Sequence, residues 1–259
     1  MKQVTLISLY GQKRKSLGAL ISACIEMIQA SKLRRVFAPY NLNQIHGTVV
    51  GMEKLIGYAD HFNANIWAKS PSGERVIMNF EPLVTSVKRQ LPITVQLGGF
   101  QKEFGLFDSF GKPPYERSFQ VQWATNRITI IGWPHKSGDF TSVRLLEMMR
   151  DDIGARCNIR HKYSGDNDLF MVLGELISLH TLSDPDLVEI KLAASDLEAQ
   201  VRDYLATQKI DVEIGPEQIF LAQYEKETLP LESTNVYCIN DSRITDSFID
   251  KLYHGGNAA

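Results

Sequence analysis

The sequence predicts an α+β protein. Short β-rich runs alternate with three longer segments whose apolar residues recur at helical spacing, and no linker or low-complexity stretch divides residues 1–254. We therefore expect one domain over 1–254, followed by a disordered Gly-Asn-Ala tail at 255–259. The 259 residues are 44% hydrophobic, enough to bury a proper core, and 22% charged, which is ordinary for a globular chain.

The elements follow in order. Val4 to Tyr10 alternates as a strand, and after Gly11-Gln12-Lys13-Arg14-Lys15 the apolar Leu17, Leu20, Ile21, Cys24, Ile25 and Ile28 mark a helix. Ile45 to Met52 reads as a strand, Glu53 to Tyr58 as the start of a short helix, and 65–68 with 74–80 as a hairpin or an excursion around Ser70-Pro71-Ser72-Gly73. Strands are expected at Pro92 to Gly98, ending in Gly98-Gly99, at Phe119 to Trp123 and at Ile128 to Trp133. Phe140 to Ile153 reads as a helix capped by Thr141 or Ser142. Leu169 to Leu176 and Leu187 to Leu192 read as strands, and Asp196 to Thr207 as a helix capped by Ser195. Ile210 to Ile214 and Gln218 to Tyr224 complete roughly eight to ten strands and three substantial helices.

Charge and cysteine usage narrow the function classes. A formal net charge of -2 argues against coating nucleic acid by bulk electrostatics and leaves only a local basic cleft. Cys24, Cys157 and Cys238 are odd in number and far apart, with no His at ligand spacing, so neither a disulfide framework nor a metal site is expected. No run approaches membrane-spanning length, and the expected compartment is the cytoplasm.

The chemistry concentrates at Ile45-His46-Gly47-Thr48-Val49-Val50-Gly51-Met52, an H-x-T on an apolar run. Residues two apart in a strand share a face, so His46 and Thr48 project together and pair a proton-transfer group with a hydroxyl. An H-x-T alone arises easily by chance, and a hydrogen-bonded structural histidine is the competing reading. Position gives it weight. A strand, a helix and the loop Pro39-Tyr40-Asn41-Leu42-Asn43-Gln44 precede it.

Over about two thirds of the chain this order resembles the two-histidine (2H) phosphoesterases. The resemblance implies a bilobal, pseudo-symmetric α+β fold whose antiparallel sheets line a central cleft. It also implies action on RNA 2′,3′-cyclic phosphate ends or small cyclic nucleotides, without a metal or other cofactor. His46 would be the acid or base and Thr48 would hold phosphate. Arg35, close in sequence, is a candidate for substrate binding. Opening a cyclic phosphodiester takes one group to deprotonate water and another to protonate the leaving oxygen, so such a family needs a second motif.

That second motif is expected on Leu169-Phe170-Met171-Val172-Leu173-Gly174-Glu175-Leu176, where Phe170 stands in the His position and Val172 in the Thr position. His135-Lys136-Ser137 fits H-x-S but reads as a turn. Arg127-Ile128-Thr129 would supply a fixed cation, and Asp168 would need a register shift. Two functions follow as alternatives: a cyclic phosphodiesterase, or a degenerate module that binds a nucleotide, an RNA end or a protein. Lys13, Arg14 and Lys15 read as a solvated turn, and Trp67, Trp123 and Trp133 as core.

Overall fold

The computed structural model describes residues 2–254, so the expected tail at 255–259 lies outside the described residues. The chain begins β1 (Gln3–Ser8), α1 (Lys15–Ala30), a 3-10 turn (Lys32–Arg35), β2 (Phe37–Pro39) and β3 (Gly47–Gly51). Two short helices, α2 (Ala64–Lys69) and α3 (Leu83–Arg89), lead to β4 (Ile93–Leu97), α4 (Pro114–Arg117), β5 (Phe119–Gln122) and β6 (Arg127–His135). Then come α5 (Leu145–Cys157), β7 (Leu169–Leu176), α6 (Asp184–Thr207), β8 (Ile210–Ile214), β9 (Ile219–Tyr224), β10 (Asn235–Cys238) and α7 (Asp246–Tyr253).

The fold is α+β, with one large antiparallel sheet ordered β10-β9-β1-β3-β7-β6-β4-β8; β2 also pairs with β7 and β5 with β6. Alternation sorts each strand between two faces. Val4 and Leu6 of β1 and Val49 of β3 join the main core with Ile21 and Cys24 of α1 and Met149 and Ile153 of α5. Ile7 of β1 and Ile131 of β6 belong to two smaller apolar clusters on the other face.

Several expected elements take another form. Leu187 to Leu192 is not a strand: α6 runs through it from a cap at Ser183, whose hydroxyl accepts from the Asp186 N–H, with a proline in the first turn. The helical signal is the buried stripe Ile190, Ala194, Leu197, Val201 and Leu205, which outweighs the β-like look of six residues. Ser195 is therefore interior to the helix. Thr141 and Ser142 cap nothing, because their backbone N–H groups close a turn on Asp139, and α5 starts at Leu145. Its first N–H groups are met from another segment, Asn167 Oδ1 accepting from Leu146 and Glu147 at 3.1 and 3.3 Å.

Between β3 and α3, the 53–58 helix and the hairpin give way to the bridges Lys54–Asn63 and Phe62–Ile77 and to α2, capped by Asn63 Oδ1 on the Ile66 N–H. His135, read as part of a turn, instead closes β6, with Pro134 before it opposite Val95. Gly98 fits the expected strand end. Its φ is +67°, and a Cβ there would lie 1.8 Å from the Gln208 carbonyl oxygen, where the α6–β8 link crosses.

Candidate functional site

β3 and β7 meet at a single residue pair, Gly47 opposite Met171. Continuing that antiparallel register one residue each way sets Thr48 against Phe170 and His46 against Val172. Ile7 pairs with Thr48 and Ile131 with Phe170, so these residues form one row across one face of the sheet. Gly47 is the contact on the reverse face. A Cβ there would come within 2.4 Å of the Leu169 side chain.

Beyond that pair the strands diverge, and Arg150 of α5 fills the opening. Its buried guanidinium donates from Nε to the Val49 carbonyl at 2.8 Å and from Nη2 to the Thr48 and Asp168 carbonyls at 3.0 and 3.2 Å. Nη1 donates to the Asp166 carbonyl at 2.7 Å and lies 3.1 Å from the Asp166 carboxylate. One side chain thus satisfies carbonyls that a paired strand would otherwise have bonded.

His46 is oriented by its own loop. Nδ1 lies 2.8 Å from the Gln44 carbonyl, which can only accept, so Nδ1 carries the proton and Nε2 keeps its lone pair. The Gln44 side chain donates in turn to the Thr228 carbonyl at 2.6 Å, tying this loop to the segment after β9. Burial pushes the imidazole pKa down to about 4 against the opposing pull of the Gln44 carbonyl, and the charges of Lys13 and Arg127 push the same way as burial. At neutral pH His46 is an uncharged base. The Tyr10 ring stands 6.0 Å from it.

Lys13 is not simply solvated. Its ammonium donates to the Gly11 carbonyl at 2.8 Å, and burial lowers its pKa to about 8. Arg127 reaches the same region from the start of β6 and pairs with Glu227 at 3.3 Å. Burial, then Glu175 beside it, raises the Tyr40 phenol. Burial likewise raises the Glu53 carboxyl, which accepts from the Tyr224 hydroxyl at 2.7 Å. A cavity of about 250 Å³ shares Tyr10 and Lys13 with this region and is further lined by Leu17, Gln218 and Phe220.

The Phe170 side is filled. Phe170 packs with Phe100, Phe104, Phe107, Ile131, Trp133 and Phe140. Edge-to-face contacts such as Phe100 on Trp133, with centroids 5.0 Å apart, make this a dense aromatic block. Buried Asp168 anchors it, accepting from Ser109 Oγ at 2.7 Å, Trp133 Nε1 at 2.7 Å and Arg117 Nη2 at 2.6 Å.

Lys13 and Arg127 stand close enough to His46 for their charges to act on it, and Thr48 lies two residues on, in β3, but other expected residues lie elsewhere. Arg35 is engaged by Asp186 at 3.2 Å and Glu189 at 3.6 Å on α6 and makes no contact with His46 or Thr48. His135 bonds Asp211 at 3.1 Å and accepts from the Gly138 N–H, at the far end of β6 from Arg127. Asp168 is consumed by its three partners. Trp133 is core, whereas Trp67 is 47% exposed on α2, and Trp123 is half-buried beneath Lys191. Sequence reading missed Lys13 and Arg150 because nothing local separates a buried cation from a solvated one.

No protein-family model matches the chain, and no curated protein does. Among solved structures it is similar to a conserved protein of unknown function from Agrobacterium tumefaciens str. C58, with 10% identity, 87% of this chain and 81% of that chain covered, and a TM-score of 0.43.

Proposed function

We propose that this chain is a degenerate relative of the two-histidine phosphoesterases, whose bilobal fold has kept one motif and whose cleft binds the phosphate of a nucleotide or RNA 2′,3′-cyclic end without hydrolysing it efficiently. The observation that carries the reading is the register at Gly47 and Met171. It sets the first position of the kept motif, His46, against the third position of the lost one, Val172, and Thr48 against Phe170. Two H-x-T strands related by a local twofold would face each other in this way, and here one of them is apolar.

The kept half suits an anion. Thr48 donates a hydroxyl, Lys13 and Arg127 supply charge, and the Nε2 lone pair of His46 accepts a proton from a ribose hydroxyl or a water. The cavity beside Tyr10 and Phe220 gives the sugar and base a place to lie. What is lacking is the group that protonates a leaving oxygen. Lys13, with its pKa of about 8, favours residual hydrolysis as a second reading, since it is the nearby group able to give up a proton near neutral pH.

Titration calorimetry with 2′,3′-cyclic nucleotides, 3′-nucleotides and inorganic phosphate, with product analysis on the same samples, tests both readings. We expect binding of the cyclic ester that Thr48→Ala weakens, with the ester recovered intact. Turnover abolished by His46→Ala and by Lys13→Met would favour the second reading. Absence of binding by every phosphate ester would reject both.

A further inference from the structure

A second group of polar side chains lies at the C-terminal helix. Asp250 and His254 are four residues apart on and just after α7, so they share a face. His61, from the loop after β3, meets them there, and one ligand atom from each of the three lies within 4.8 Å of the others. His61 Nε2 is 2.8 Å from one Asp250 oxygen, and His254 Nε2 is 3.8 Å from the other.

The His61 ring is held for this contact. It is buried, stacked on Tyr253 at 4.5 Å and tilted against Phe80 at 5.8 Å, and the Tyr253 hydroxyl donates to the Met52 carbonyl at 2.6 Å. Its Nδ1 is buried with no partner, so the ring makes its polar contact through Nε2 alone. Two imidazole nitrogens therefore converge on one carboxylate from fixed and movable sides: His61 is locked, whereas His254 is exposed and free to adjust.

We propose that His61, Asp250 and His254 bind one divalent transition-metal ion of the zinc type, with water completing the shell. Zinc bonds of about 2.0–2.1 Å in tetrahedral array place neighbouring ligand atoms roughly 3.3 Å apart; one atom from each of the three residues already lies within 4.8 Å of the others, and the exposed His254 is the side chain that closes the remaining distance. Two imidazoles and one carboxylate select zinc, cobalt or nickel over magnesium and calcium. Three protein ligands leave a position open, and the half-exposed Asp250 admits water to it. Lys54, whose ammonium lies 5.7 Å from the Tyr253 ring, is the opposing charge nearby, and the Asp250 carboxylate offsets it. The ion would clip α7 to the loop after β3. The pairing is invisible in sequence because His61 and Asp250 are 189 residues apart.

The test is Co2+ titration of the chelator-stripped full chain, read by visible absorption, followed by Zn2+ competition. Cys238→Ser serves as the background, since that half-buried thiol is another soft donor. We expect a tetrahedral cobalt spectrum, displacement by Zn2+ and a higher melting temperature with Zn2+. His254→Ala should weaken binding by about 10- to 100-fold or more while leaving the fold intact, because His254 is exposed. Equal Zn2+ affinity in the His254→Ala variant, or no cobalt band, overturns the site. Neither outcome bears on phosphate binding at His46.

Discussion

The His46 and Phe170 sides of the β3–β7 junction share one backbone arrangement and differ in nearly everything else. On one side stand an uncharged imidazole, a hydroxyl and two cations, one of which, Lys13, also lines a cavity. On the other, Phe170 meets aromatic rings held down by Asp168, with the apolar Val172 two residues along the strand. The polar side is held by the Gln44 carbonyl and the 228 segment, the apolar side by aromatic packing on the Asp168 anchor, and the Arg150 guanidinium bonds a carbonyl of each. Strand geometry does not require chemistry at a given position. On the proposed reading, a site has lost its second half with the sheet intact because that half is refilled.

The largest expected effect comes from the group beneath both sides. Arg150→Met leaves the Thr48, Val49, Asp166 and Asp168 carbonyls and the Asp166 carboxylate short of a partner, and should cost about 3–5 kcal/mol in urea unfolding. A smaller loss would mean that the junction holds without its guanidinium. Next is acid sensitivity. The folded pKa of His46, about 4, lies below its ordinary 6.5, so its contribution is complete above pH 6.5 and is lost as pH falls toward 4. Allowing for partial exposure this is about 2–3 kcal/mol. His46→Gln should flatten the stability profile in that window, and an NMR titration that finds an ordinary imidazole pKa would refute burial as the source of the acid sensitivity.

The sharpest test of the difference between the two sides builds the motif that the proposed reading takes to be lost. Phe170→His with Val172→Thr should raise hydrolysis of a 2′,3′-cyclic nucleotide by about 100-fold, the lower range for a positioned acid, with some loss of stability from the aromatic block. No gain in a folded variant would mean that the aromatic cover, and not the missing histidine, blocks chemistry. The smallest effect belongs to Thr48→Ala, where losing one hydroxyl to phosphate should weaken ester binding about tenfold, measured by calorimetry.

Much of this was legible in the residues. β1, α1, β3, β4 and β9 follow from alternation and helical spacing, and β7 was expected as a strand, which pairs with β3 at Gly47 and Met171. Legibility failed where partners are remote. Arg150 looks like any charged helix residue until the strands it bridges are seen to part, and the α5 cap comes from Asn167. In α6, a buried stripe spread over 24 residues outweighs a six-residue window that looks like a strand. Arg35 sits near the motif in sequence, yet Asp186 and Glu189 hold it on α6.

The pairing of β1 with β9 bears on the order in which the molecule can be finished. Gln3 aligns with Tyr224, so β1 leaves the ribosome long before its partner on that edge exists, whereas β4 to β8 arise from one continuous stretch. The loop that aims His46 waits longer still, because Gln44 is secured by the carbonyl of Thr228. The residues of the aromatic block are therefore all present in a nascent chain that still lacks the segment securing the His46 loop, and the binding proposed for that loop would belong only to chains synthesised past residue 228.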